Sequence, residues 1–514
     1  MTGWRTLGGR SRADIDVTEP LRCSPVSSMN RILRRSAAVL AAMTAIGAVS
    51  VVTSPTEQGR VSAADVLGAG GEFHPLTPER VLDTRGGVNV APGARPLVPG
   101  EGQSFEVPLS GMGGLPEMIV DDQVLAVAVS ITVVEPTEPG YLRAFGTGDT
   151  EGTSSIVNFG PGETVPNMTI LAPGADGRIT VRLVSEGGSG SAHVLIDTFG
   201  WFSKGTYQDN GSRLIPVGPG RIFDSRNPAF GATPVGPGQS VRVPIAGADS
   251  LNPAVSAIVP DRGTITGALV NVTGVNQRST GAATFVSVVP ERPADGVPPT
   301  TSNLNLRSNQ VKANLVMVPV GADGSVWLYN SAGDVDLVVD VVAYLEPRPE
   351  DTREGRVIPL NQPFRVLDTR QEEFGPLQLG PGLADDWSFC RFAAGVTIGD
   401  DWVGPQSAFV GNLTATGLER PPEWFTPVDS FLTVYPSSNT DGEPPEASNL
   451  NIFENQSVPN AALFRFGERA REGGLIDRQS VRVYNYNGFV HYLVDAAAVV
   501  LTDEGADAEQ LDCN

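Results

Sequence analysis

Beyond residue 72 the apolar positions of this chain recur with a period of two. Ser104-Phe-Glu-Val-Pro-Leu109 alternates, and Val124-Leu-Ala-Val-Ala-Val-Ser-Ile-Thr-Val-Val134 is apolar at almost every position. Gly140-Tyr-Leu-Arg-Ala-Phe145, Ile179-Thr-Val-Arg-Leu-Val184 and Ala192-His-Val-Leu-Ile-Asp-Thr-Phe199 continue the series. Val, Ile, Thr and aromatic residues dominate these runs, which suits pleated, half-buried segments. Turn signals separate them, and Ala175-Asp-Gly177 and Ala322-Asp-Gly324 are hairpin turns in which Gly supplies positive φ. The prediction is an all-β protein without substantial helix. Val124–Val134, Ala268–Val275 and Ala408–Thr416 should be central strands covered on both faces.

The strand pattern occurs three times, at intervals of about 140 residues. Each copy opens on Arg80-Val-Leu-Asp-Thr-Arg85, Arg221-Ile-Phe-Asp-Ser-Arg226 or Arg365-Val-Leu-Asp-Thr-Arg370. Each closes on His193-Val-Leu-Ile-Asp197, Asp336-Leu-Val-Val-Asp340 or His491-Tyr-Leu-Val-Asp495. Units at 73–203, 214–345 and 357–501 follow, joined by short polar segments and trailed by an acidic tail, 502–514. Seven to nine strands per unit argue for three tandem β-sandwich domains, with a jelly roll as one topology and a small closed barrel as the alternative. Each unit is long enough for a core of its own, so the expected picture is beads held close.

Residues 1–63 read as an address. Arg31, Arg34 and Arg35 precede an apolar run from Ala37 to Val52, and Val61-Ser62-Ala63 offers a small-residue cleavage site. The run falls short of the roughly 20 residues that a membrane span needs. Residues 1–28 read as a start-site extension ahead of Met29. A secreted, extracellular or cell-surface protein with no span after signal cleavage is expected, an uncleaved anchor being the alternative. In such a compartment Cys390 and Cys513, both beyond the second unit, suggest a disulfide, free thiols being the alternative.

Charge narrows the partners. The net charge is −22, and Lys204 and Lys312 are the only lysines. So acidic a chain repels phosphate backbones, which argues against nucleic acid.

Several polar residues recur among the apolar strands. Asp83 with Arg85, Asp224 with Arg226 and Asp368 with Arg370 fall on one face of an extended segment, where each Arg can fork onto that Asp or onto Asp197, Asp340 or Asp495 of the last strand. The plain structural reading is an ion-pair network fixing the first strand to the last. The functional one is a sugar site or a weak Ca²⁺ site at the domain edge. Asn158/Asn167, Asn305/Asn314 and Asn451/Asn460 bracket a turn, either satisfying its backbone or lining a carbohydrate groove. The third unit departs most, with insertions around Asp386–Pro405 and Glu419–Val428 that carry Trp387, Trp402 and Trp424, further candidates for ligand contact. No nucleophile elbow, phosphate loop, dinucleotide fingerprint or zinc spacing occurs, so no catalytic residue and no metal ligand is assigned.

Taken in order, Arg80–Arg85, Gly140-Tyr-Leu142, Gly174–Gly177, Asn271-Val-Thr273 and His193 through Phe202 resemble the repeats of secreted actinobacterial surface proteins. The resemblance implies export and repeat β domains and carries no activity with it. The expectation is a non-enzymatic cell-surface protein engaged in adhesion or weak multivalent binding of cell-wall or extracellular glycan. The alternatives are a carbohydrate-active enzyme seated in the third unit and a structural spacer or coat.

Overall fold

A computed structural model describes residues 70–86, 88, 94–118, 123–185, 187–205, 211–252, 258–276, 283–348, 352–371, 377–398, 401–422, 426–439, 443–470 and 476–503. The leader, Trp424, Cys513 and the end of the acidic tail lie outside them.

In the first repeat the strands are β1 (Phe73–Asp83), β2 (Phe105–Pro108), β3 (Val124–Val134), β4 (Gly140–Gly146), β5 (Val157–Phe159), β6 (Thr164–Leu171), β7 (Arg178–Ser185) and β8 (His193–Ser203). They form two antiparallel sheets, β1-β8-β3-β6 and β2-β7-β4-β5. Eight strands dealt alternately into two sheets is the jelly-roll topology. The second repeat has β9 (Arg213–Asp224), β10 (Gln239–Pro244), β11 (Gly267–Asn276), β12 (Thr284–Val289), β13 (Leu304–Leu306), β14 (Gln310–Pro319), β15 (Ser325–Asn330) and β16 (Asp336–Glu346). Its sheets, β9-β16-β11-β14 and β10-β15-β12-β13, repeat the same order.

The third repeat contains β17 (Val357–Asp368), β18 (Leu383–Ser388), helix α1 (Cys390–Gly395), β19 (Thr397–Ile398), β20 (Asp401–Trp402), β21 (Gln406–Glu419), β22 (Asp429–Pro436), β23 (Leu450–Phe453), β24 (Ser457–Arg465), β25 (Gly467–Ala470), β26 (Ile476–Asn485) and β27 (Phe489–Leu501). The order holds again as β17-β27-β21-β24 and β18-β26-β22-β23, with β25 added beside β26 and β19-β20 a separate hairpin. Apart from that hairpin, the described residues make six small antiparallel sheets in a propeller-like arrangement. Helix α1 is six residues long and agrees with the expected lack of substantial helix: the inserted segment turns Cys390, Phe392 and Ala393 inward, so packing and not periodicity holds it.

Each repeat has an apolar core between its two sheets, typified by Val129, Ile131 and Val181 in the first. A fourth core belongs to all three. Phe73, Ala126, Ala128, Met168 and Phe202 meet Leu214, Leu269, Leu315 and Met317 of the second repeat and Ala408, Val410, Ala461 and Val500 of the third. The inner sheet of each repeat is therefore buried on both faces, which explains the nearly continuous apolar run of β3. Its two faces differ in size. Val127, Val129, Ile131 and Val133 fill the repeat's own core. Ala126 and Ala128 face the common axis, where small side chains let three sheets approach. The beads are held close enough to share a core and make one body around a common centre.

At one end of this axis the entry segments of the repeats are knotted together. Phe73 bridges to Ser212, and Gly71 bridges to Val357. The Leu214 amide donates to the Gly355 carbonyl at 2.9 Å. Glu72 accepts from Arg213 Nε at 2.8 Å and pairs with Arg356 Nη2 at 3.1 Å, tying three repeats through one carboxylate. The strand registers, Phe73 opposite Phe202 and Val134 opposite Thr164, put the β5–β6 turns at the other end.

Candidate functional site

The recurring Arg-Val-Leu-Asp-Thr-Arg motif is accounted for residue by residue at the β1–β8 edge. Arg80 donates to Asp197 through Nε at 2.9 Å and Nη2 at 3.1 Å. A bulge between Arg80 and Leu82 lets Val81 and Leu82 both turn into the core. Asp83 accepts from Arg85 Nε at 2.9 Å, from Nη2 at 2.7 Å and from the Arg85 backbone amide at 3.0 Å, closing a turn. Thr84 accepts from the Val194 amide at 2.9 Å and sits 3.0 Å from His193 Nδ1.

The other copies repeat this ladder. Arg221 reaches Asp340, and Arg365 reaches Asp495, each with Nε at 2.9 Å. Asp224 pairs with Arg226, and Asp368 with Arg370, each through Nη2 at 2.7 Å. Ser225 bonds Asp336 at 3.1 Å, so the residue replacing the histidines keeps their partner. The partners of the last-strand aspartates are thus Arg80, Arg221 and Arg365, not the second Arg of the motif. Their recurrence in all three copies was the available signal.

Electrostatics divides these carboxylates in two. Burial pushes Asp197, Asp340 and Asp495 above the ordinary carboxylate range, against the pull of their arginines. The hydrogen bond from Arg85 holds Asp83 below it. Burial also acts on Asp224 and Asp368, but Arg226 and Arg370 overcome it and keep both lowered. Every one of these carboxylates already faces a guanidinium. Among the described residues no group of three His, Cys, Asp or Glu side chains is placed to hold a metal ion, so the Ca²⁺ reading has no ligand set here.

Of the three candidate tryptophans of the third repeat, Trp387 is the one whose side chain is described, and it does not lie at the surface. Trp387 is buried in the core, where its Nε1 donates to the Tyr492 hydroxyl at 2.5 Å. The Trp402 backbone belongs to β20. Trp424 lies outside the described residues. The inserted segment instead builds an aromatic cluster in which Phe409 stacks on Phe464 at 4.4 Å and meets Phe389 and Phe392. Cys390 is buried and disulfide-bonded, and Cys513, its expected partner, lies outside the described residues.

The asparagines lead to the axis. Asn167 donates to the Ile156 carbonyl at 2.7 Å within its own repeat and to Asn412 Oδ1 of the third repeat at 3.0 Å. Its own oxygen accepts from the Ala461 amide at 2.8 Å. Asn460 reproduces this arrangement toward the second repeat, donating to Asn271 Oδ1 at 3.0 Å and accepting from the Leu315 amide at 3.2 Å. At the third junction the ring is open. Asn314 keeps its bond to the Asn303 carbonyl at 2.7 Å, but its Oδ1 has no partner among the described residues. Ser130 stands where the other repeats carry Asn271 and Asn412, and its hydroxyl is likewise buried with no partner among the described residues.

Beside this ring, at the β5–β6 turns, lies a cavity of about 500 Å³ built by all three repeats. Asn158, Asn305 and Asn451 contribute one amide each, and Glu163, Gln310 and Gln456 occupy a second equivalent position. Tyr141, Phe159 and Phe453 supply aromatic surface. Exposed turn residues Asn309 and Asn455, both at positive φ, ring the mouth; the equivalent turn position of the first repeat is Gly162, also at positive φ. Lys312 lines the cavity where the other repeats place Val165 and Val458. Burial lowers the Lys312 ammonium, with Glu163 opposing that shift and Arg307 adding to it.

No protein-family profile matches the chain, and no curated protein matches it. Among solved structures, the tandem CBM22-1-CBM22-2 domain of Paenibacillus barcinonensis Xyn10C aligns at 11% identity over 53% of this chain and 99% of its own, with a TM-score of 0.15. An archaeal virus protein described by its triple jelly-roll fold and turret assembly aligns at 9% identity over 83% of this chain and 90% of its own, also with a TM-score of 0.15. A protein of Sulfolobus turreted icosahedral virus gives 11% identity over 84% and 91%, with a TM-score of 0.14. Scores this low carry no function across. No helix among the described residues is long and apolar enough to cross a membrane.

Proposed function

We propose that this chain is an exported, non-enzymatic cell-surface protein that binds glycan, and that it does so in the axial cavity. The observation that carries the reading is the cavity's lining: amides from three repeats beside aromatic side chains. Sugar hydroxyls both donate and accept, and an amide offers both roles within one plane. A concave site with a few convergent polar groups among apolar walls is the usual form of a small-molecule site, and about 500 Å³ falls within the common range of roughly 300–1,000 Å³. Export is inferred from the amino-terminal address and adhesion from the surface location it implies.

The arrangement favours one site shared by three repeats over three sites strung along the chain. It also favours binding over hydrolysis. Glycoside hydrolysis ordinarily uses two carboxyl groups flanking the bond, and Glu163 is the one acidic side chain among the described residues that line the cavity.

The test is a glycan array probed with the full chain and with the triple variant Asn158→Leu, Asn305→Leu, Asn451→Leu. Binding by the parent, weakened at least tenfold in a variant that melts at the same temperature, is the expected result. A parent chain that binds nothing on the array leaves the spacer or coat reading in its place.

A further inference from the structure

The axial cavity is not symmetric, and its asymmetry is chemical. Lys312 replaces a valine, carries one of the chain's two ammonium side chains, and has no ion-pair or hydrogen-bond partner among the described residues. A lone ammonium in a partly desolvated cavity is costly for folding unless an anion meets it there. Glu163 does not serve as that anion by contact: it forms no salt bridge with Lys312, and its Oε2 accepts from the Gly160 amide at 3.0 Å. The Arg307 guanidinium stands nearby, bonded to the Gly162 carbonyl, so two cations face one carboxylate in a chain of net charge −22.

Asn305 donates to the Ser302 hydroxyl at 3.2 Å, but the other two equivalent amides of the lining are unengaged. The side chains of Asn158 and Asn451 make no hydrogen bond among the described residues, and each has a buried orphan oxygen. Either amide can therefore turn its oxygen or its NH₂ toward a ligand without breaking a bond. Asn314, only 2% exposed, adds a third orphan oxygen at the wall. A buried acceptor without a partner is costly, and a ligand hydroxyl would remove that cost.

We propose that Lys312 makes the axial cavity selective for carboxylate-bearing sugars, the uronic acids, with the carboxylate on the ammonium and ring hydroxyls on the Asn158 and Asn451 amides. The inference rests on the glycan-binding reading of the same cavity and adds to it the class of sugar. A charge-assisted hydrogen bond is worth about 1.5–3 kcal/mol, which sets the expected discrimination at about tenfold or more.

The experiment is calorimetric titration of the full chain with glucuronate, galacturonate and mannuronate, each against its neutral counterpart glucose, galactose or mannose. These pairs differ only in oxidation at C6. At least one uronate should bind about tenfold tighter than its hexose. Lys312→Val, which installs the residue of the other two repeats, should bring that pair within about twofold. Lys312→Gln, which keeps a polar head, should do the same, so a folding defect in one variant does not decide the matter. Hexose binding without preference for any uronate, or a preference that survives both substitutions, overturns the role of Lys312 and leaves the glycan site standing. Absence of binding by every sugar overturns the glycan reading and this inference together.

Discussion

At the edge of each repeat, Arg80 with Asp197, Arg221 with Asp340 and Arg365 with Asp495 meet through the same Nε contact at 2.9 Å. On the axis the three copies disagree: Ser130 answers to Asn271 and Asn412, and Lys312 to Val165 and Val458. The difference follows from what each place must do. An edge ladder joins the first strand of a repeat to its last, and a carboxylate sealed under a strand tolerates few alternatives to its arginine. The axis serves the whole molecule once, so three contributions add up to a single site and need not be alike. Sameness among repeats marks the frame, and departure from sameness marks the place where one ligand would be distinguished from another.

Breaking a ladder should have the largest effect. Asp340→Asn leaves the Arg221 guanidinium against a fully buried position and is expected to cost about 3–5 kcal/mol. Arg226→Gln removes a pair whose arginine side chain is 45% exposed and should cost no more than about 1 kcal/mol. Urea unfolding of both variants makes the comparison, and equal midpoints would show that burial does not set the hierarchy.

The asparagine ring should show intermediate effects of opposite sign. Asn460→Ala removes the partner of the Leu315 amide, the Asn271 oxygen and the Asn449 carbonyl, and is expected to cost roughly 1–3 kcal/mol once water enters the space the side chain leaves. Ser130→Asn should close the open junction with Asn314 and stabilise by about 1 kcal/mol. A lower melting temperature for Ser130→Asn would mean that the junction lacks room and that the ring is open for steric reasons.

The smallest effect is one of pH. Asp368 is held below the ordinary carboxylate value by Arg370, so the folded state binds its proton less readily than the unfolded chain does. Its contribution is fully present above the unfolded-state value and is lost as pH falls through the lowered folded-state value. Arg370→Gln should therefore lower stability at neutral pH, leave it little changed at the acid extreme, and so flatten the slope between them. An acid limb as steep as the parent's would remove Asp368 as a source of acid sensitivity.

Much of the frame was legible beforehand. Period-two patterning marked β7 and β8, a nearly continuous apolar run marked β3, and the fork between Asp83 and Arg85 was one of the two pairings that their spacing allowed. The alternation of large and small residues in β3, with Ala126, Ala128, Ser130 and Thr132 on one side, carried the axis in principle. It reads locally as a strand buried on both faces, and nothing local says that the second face meets two other repeats. Trp387 shows the opposite failure. An insertion with tryptophans suggests a binding loop, but aromatic side chains added to a jelly roll have as much apolar area to hide as to offer, and this one went into the core.

By itself, then, the amino-acid sequence determined the all-β class, the strand positions, the triplication and the carboxylate–guanidinium pairing at short range. These depend on period, turn chemistry and neighbours along the chain. Tertiary structure alone decided that the repeats share a core, that Asn167 and Asn460 bond across 294 and 145 residues, and that Lys312 stands in a cavity walled by three repeats. Those facts depend on which faces of separate sheets are brought together, and burying small apolar faces around one axis does not specify, residue by residue, what will stand opposite what.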